Sequence, residues 1–134
     1  MTVIETKKGI SPNSIEKLFG FLVDMNNFEA LMPEDKIEKW SSTEEQCEFT
    51  IKGMARIGLR RVDQETPNLI KIKSFGKVPF DFGLDIHLQP IDDGTTQTQI
   101  IFEGDINAFM KMMVEKPLTN FFNMLVDKAS ELSL

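Results

Sequence analysis

Tyrosine is absent from this sequence, and tryptophan, histidine and cysteine each occur once, as Trp40, His87 and Cys47. A lone cysteine excludes an intramolecular disulfide and gives no support to an oxidising compartment. With one histidine, one cysteine and no spaced cluster of carboxylates, the chain offers no pattern for a transition-metal site, and no cofactor is expected. No apolar run reaches signal-peptide length at Met1–Lys8, and none approaches the length that spans a bilayer, so a cytoplasmic location without stable membrane insertion is the expectation. Clustered basic residues are missing too: the formal charge is -6, and nucleic acid is not an expected partner.

What is present is phenylalanine and methionine. Eleven Phe and eight Met supply nearly all the large side chains, so the interior has few hydrogen-bonding tips. A chain of 134 residues suits one domain, residues 1–134, with a sizeable core. Its last part carries the strongest pattern. From Ala108 to Leu132, Met110, Met113, Val114, Pro117, Phe121, Leu125 and Leu132 recur at intervals of three and four, predicting one amphipathic helix of about 25 residues.

Upstream, Val3–Lys7 reads as a strand ended by Gly9, and Ser11-Pro12 as a helix start. Ile15, Leu18, Phe19, Leu22 and Val23 then follow at helical spacing. Asn26 or Asn27 can cap a second short helix in which Phe28, Leu31 and Met32 share a face and which Pro33 stops. From Lys36 the period changes to two. Cys47, Phe49 and Ile51 alternate with polar residues, as do Ala55, Ile57 and Leu59, then Ile70 and Ile72. The cleanest strand holds Phe80, Phe82, Leu84, Ile86 and Leu88 on one face, and Asp92-Asp93-Gly94 turns it into a partner carrying Thr98, Ile100 and Phe102. The expected order is one strand, two short helices, about six antiparallel strands and the long helix, an α+β arrangement in which about seven strands curve around that helix.

This order resembles the helix-grip fold of the START-like superfamily, also called the polyketide cyclase and lipid-transport (SRPBCC) group. The residues carrying the resemblance are Ser11-Pro12 through Asp24, Met32-Pro33, Cys47 to Gly53, and Met112 to Leu118 with Phe121 and Phe122. Members bind sterols, lipids, polyketides, quinones or plant hormones between sheet and helix, and others bind chaperones. The resemblance implies a cavity. By alternation, Ile57, Leu59, Ile72, Phe82, Leu84, Ile86, Ile100 and Phe102 face it, with Met110, Met113, Pro117 and Phe121 from the helix and an entrance beside Phe28 and Met32.

Few polar groups share that face. Arg61 follows the parity of Ile57 and Leu59 and is the best candidate for a polar anchor, unless a bulge turns it to solvent. Ser74 and Thr98 are the others. His87, beside Asp85, falls on the wet face, where an acid-base pair has no pocket to serve. Trp40 shares parity with Lys36 and Glu38, so it is either partly exposed or in an irregular strand. Pro117 removes a backbone donor from the long helix and predicts a bend there. The expected function is non-covalent binding of a small hydrophobic molecule by a monomer or weak dimer. The alternatives are a polyketide cyclase or dehydrase type of enzyme, whose pocket needs polar groups, and a protein-binding module of the chaperone-cofactor kind.

Overall fold

A computed structural model describes all residues, 1–134. Eight strands form one antiparallel sheet: β1 Thr2–Glu5, β2 Gly9–Ser11, β3 Ile37–Ser42, β4 Gln46–Ile51, β5 Ala55–Glu65, β6 Leu69–Ser74, β7 Phe82–Asp92 and β8 Thr95–Gly104. The spatial order is β1-β8-β7-β6-β5-β4-β3, with β2 also paired to β8. Helix α1 spans Ile15–Leu22, a 3-10 helix spans Met25–Leu31, and α2 spans Ala108–Glu131, unbroken through Pro117. This is the helix-grip α+β arrangement the sequence predicts.

The strands form where period-two patterning lets one face go dry. Cys47, Phe49 and Ile51 of β4, Phe82, Leu84, Ile86 and Leu88 of β7, and Ile100 and Phe102 of β8 are all buried, while their neighbours are half-buried or exposed. Against this face lies the stripe Leu118, Phe121, Phe122, Leu125, Val126 and Ala129 of α2. No helix is long and apolar enough to cross a membrane.

Three local expectations are corrected. Gly9 does not end the first strand. Thr2–Glu5 and Gly9–Ser11 both lie on β8, and the register moves by one residue between Glu5↔Ile101 and Gly9↔Thr98. Ser11 therefore belongs to β2, and α1 begins later, capped by Ser14, whose Oγ accepts from the Lys17 N–H at 3.3 Å. The second helix is capped by Asp24 through the Asn26 N–H at 3.0 Å, not by an asparagine. Asn27 instead donates to the Phe21 carbonyl, and Asn26 Oδ1 accepts from the Ser42 hydroxyl.

β3 is irregular, which settles Trp40. Lys39 has φ +56° and the register shifts between Glu38 and Ser41. Trp40 is thereby turned onto Phe49, ring centroids 5.7 Å apart, with its Nε1–H donating to Ser42 at 3.2 Å.

The far end of α2 is fastened. Asn13 Nδ2 donates to the Leu132 carbonyl and to Ser11 Oγ, both at 2.8 Å. Its Oδ1 accepts from the Leu134 N–H at 2.9 Å, and its own carbonyl accepts from the Thr96 hydroxyl. Lys7 pairs with Asp127, and its N–H donates to Asn123 Oδ1.

Candidate functional site: an aromatic cleft under the long helix

Between the sheet and α2 the side chains meet in a continuous line of rings. From Trp40 and Phe49 it runs to Phe121 at 6.1 Å, Phe122 at 5.9 Å, Phe102 at 5.3 Å, Phe82 at 5.4 Å and Phe80 at 5.9 Å, each step within the range for favourable aromatic pairing. The space they leave is about 20 Å³, lined by twelve residues, all hydrophobic. That is room for about one water, but with no polar partner the void stays dry. The expected open cavity is thus closed by its own phenylalanines. The ring of Phe102 even folds back over Gly104, where a Cβ would stand 2.6 Å from it.

Six of the predicted site residues line this void: Ile57, Leu59, Phe82, Leu84, Phe102 and Phe121. Ile72, Ile86 and Ile100 are buried in the same core but do not reach it, and neither do Phe28, buried on the 3-10 helix, and Met32, buried at its C-terminal cap. The expected entrance at Phe28 and Met32 is therefore shut. Met113 is 63% exposed and Pro117 is also exposed, so neither faces the cleft. The reason is helical phase: the sheet-facing rows run through Leu118, Phe122 and Leu125, continued by half-buried Met110 and Val114, and leave Met113 and Pro117 on the flank.

Phe49, Ile51, Phe80, Leu118, Phe122 and Leu125 complete the lining. Strand alternation marks Phe49 and Ile51, and the spacing 118, 121, 122, 125 marks the helical four. Alternation also puts Phe80 on the dry face, but β7 begins only at Phe82, so Phe80 reaches the void from the preceding loop and not from the strand the sequence predicts.

The polar candidates are occupied elsewhere. The β5 bulge falls at Val62, so Arg61 keeps the inward parity of Leu59. Its guanidinium nevertheless runs to the Val23 carbonyl at the end of α1, and reaches the Glu44 carbonyl at 3.4 Å. Ser74 Oγ accepts from the Phe82 N–H at 3.0 Å. Thr98 Oγ1 is buried without a partner, but away from the void. His87 is exposed on the outer face. Burial pushes the Cys47 thiol up to about 12, with the Glu48 charge adding to the effect, so it is not a nucleophile. No three His, Cys, Asp or Glu side chains come together as a metal site.

Outside the cleft, a groove of about 470 Å³ runs along the flank of α2, and Ile51 and Phe121 line both spaces. Met113 and Pro117 belong to its wall, with Met54, Lys36 and Lys52. The α2 start beside it exposes Phe109 and Met112 at 74% and 88%. A second groove, of about 410 Å³, lies on the sheet's outer face over Gly83. Met1, Val62 and Ile101 give it apolar edges among two lysines, Lys71 and Lys73, and three carboxylates, Asp81, Asp85 and Glu103.

No family model matches this sequence, and no curated protein matches it. Solved structures do. Norcoclaurine synthase from Thalictrum flavum superposes with a TM-score of 0.75 at 14% identity, over 97% of this chain and 84% of that one. The same enzyme in complex with dopamine and hydroxybenzaldehyde gives 0.68 at 13%, over 99% and 88%. The protein XoxI from Bacillus cereus gives 0.77 at 9%, over 98% and 94%. At such identities the likeness establishes the shared helix-grip fold.

Proposed function

We propose that this protein binds a small apolar or amphipathic molecule, of lipid, polyketide or quinone-like kind, between its sheet and α2, and carries or sequesters it in the cytoplasm without covalent chemistry. One observation carries the reading: every side chain bordering the space between sheet and long helix is hydrophobic, and none is titratable. Such a lining gives affinity by desolvating apolar surface and gives an acid-base reaction nothing to work with. A protein of this fold in complex with two small aromatic molecules is in keeping with it. Because the closed void is far smaller than any such ligand, binding requires α2 to lift. The half of α2 before Leu118 contains no buried residue and is the half free to do so.

The test is a titration with the neutral fluorophore N-phenyl-1-naphthylamine, followed by amide NMR. Saturable one-to-one binding with shifts centred on Leu84, Phe102, Leu118 and Phe122 is the expected result. Absence of saturable binding would sink the proposal. Exposed Phe109, Met112 and Met113 favour a second reading, a protein-docking module, and shifts confined to that strip would transfer the support to it.

A further inference from the structure

The groove outside the cleft has a charge as well as a shape. Lys36 and Lys52 both line it, and the Lys52 N–H donates to the Lys36 carbonyl at 2.9 Å, which fixes the two residues side by side. Neither lysine has an ion-pair partner, although carboxylates outnumber cations in the chain, and the groove lining contains no acidic residue. Asn120 adds an uncharged amide. Two lysines without ion-pair partners, joined at the backbone and lining one groove, give it a local positive charge that favours an anion. Below them the wall is Ile51 and Phe121, the same two side chains that close the aromatic void. Lys36 and Lys52 thus share a groove with the two side chains that separate it from an apolar interior.

We propose that the bound molecule is a single-chain anionic amphiphile whose carboxylate sits at Lys36 and Lys52 and whose chain passes between Ile51 and Phe121 into the aromatic cleft. This rests on the carrier reading above and names its ligand class. The net charge of -6 repels anions in general, so a preference for one is a property of these two lysines and not of the whole surface. Lys36 and Lys52 are exposed, so their contribution is modest and salt-sensitive, whereas the chain supplies most of the affinity.

Calorimetric titration of the full chain with octanoate, decanoate and dodecanoate, kept below self-assembly, tests both parts, with dodecanol and dodecyltrimethylammonium as comparators. Affinity is expected to rise about fourfold per added methylene until the cleft is filled. At low salt, dodecanoate is expected to bind about three to ten times more tightly than dodecanol, and the cation least tightly. High salt and the double variant Lys36→Gln, Lys52→Gln should each bring dodecanoate down to dodecanol, with the thermal midpoint of the variant unchanged. If dodecanol matches dodecanoate in the wild type, or the double variant keeps the preference, the assignment to Lys36 and Lys52 is overturned while the carrier reading stands. An affinity flat in chain length overturns the route between Ile51 and Phe121. If neither dodecanoate nor dodecanol binds, the carrier reading fails and the ligand class with it.

Discussion

Phe102→Ala is the perturbation that most directly probes the filled cleft. Phe102 is 1% exposed and packs on Phe82, Phe122 and Phe80 at 5.4, 5.3 and 6.2 Å between ring centroids. Truncating a buried Phe to Ala costs about 3–5 kcal/mol, the transfer term being joined by about 24 cal/mol for each Å³ of cavity that does not collapse. The lower end applies if Phe80, on its loop, swings into the gap. At about 3–5 °C per kcal/mol for a chain of this size, the thermal midpoint should drop by about 10–20 °C. The new space joins a void of about 20 Å³ with no polar lining, so it should stay dry and accept benzene. Benzene at a hundredfold excess over its Kd restores about 2.7 kcal/mol. Urea unfolding with and without benzene measures both numbers, and Phe102→Leu provides a milder variant should the alanine form fail to fold. A loss below about 1 kcal/mol, or no benzene rescue in either variant, would refute the placement of Phe102 at the centre of a dry core.

Arg61→Met removes the guanidinium from the Val23 and Glu44 carbonyls and should lower stability by about 1–3 kcal/mol in urea unfolding without changing the affinity for a neutral probe. Gly9→Ala puts a methyl 2.6 Å from Val126 Cγ1 and 2.8 Å from Ser130 Oγ, and because a helical valine has one favoured rotamer the cost should reach about 1–3 kcal/mol by the same assay. The Cys47 thiol, raised to about 12 by burial, is deprotonated first in the unfolded chain. Stability is therefore retained below the ordinary thiol value of 9.0 and lost as pH rises from there toward 12, a slope that Cys47→Ala should flatten. In hydrogen exchange, α2 amides between Lys111 and Lys116 should exchange faster than those from Phe121 to Ala129, and equal protection along the helix would contradict a loose first half.

The order of elements is legible in the sequence because each long element has one dry face, and a dry face imposes a period. β4, β5, β7, β8 and α2 are read from that alone, and half of the void's lining, Ile57, Leu59, Phe82, Leu84, Phe102 and Phe121, is predicted with them. The start of the chain is less legible. A one-residue register change on β8 leaves no mark in composition, so Ser11 looks like a cap although its partner is Thr96 across the sheet. Arg61 shows another limit. Its parity is inward as the pattern says, but a side chain that long chooses its partner by reach, and the end of α1 lies within it. The volume of the cleft is the least legible quantity. Alternation gives the direction of Phe49, Phe82 and Phe102, whereas the room left between them depends on sheet curvature and on the phase of α2, which also decides that Leu118 goes in and Pro117 stays out.

A closed cleft and a binding function are compatible because the two halves of α2 are held so differently. From Leu118 onward the helix buries a stripe against the sheet, and at its end Asn13 ties down Leu132 and Leu134 while Lys7 holds Asn123 and Asp127. Before Leu118 it has no fully buried residue, only half-buried Met110 and Val114 against the core, and Pro117 at the junction has no N–H to give the Met113 carbonyl. A ligand that exchanges ring–ring contacts for ring–ligand contacts loses little in apolar transfer, so the cost of binding lies mainly in making volume. That cost is least where the fewest groups must leave their partners, which is the free half of α2 and the loop of Phe80. The clasped end then acts as the fixed end of the movement. The opening that the proposed function requires is then directed toward the flank where Ile51 and Phe121 separate the void from a groove lined by Lys36 and Lys52.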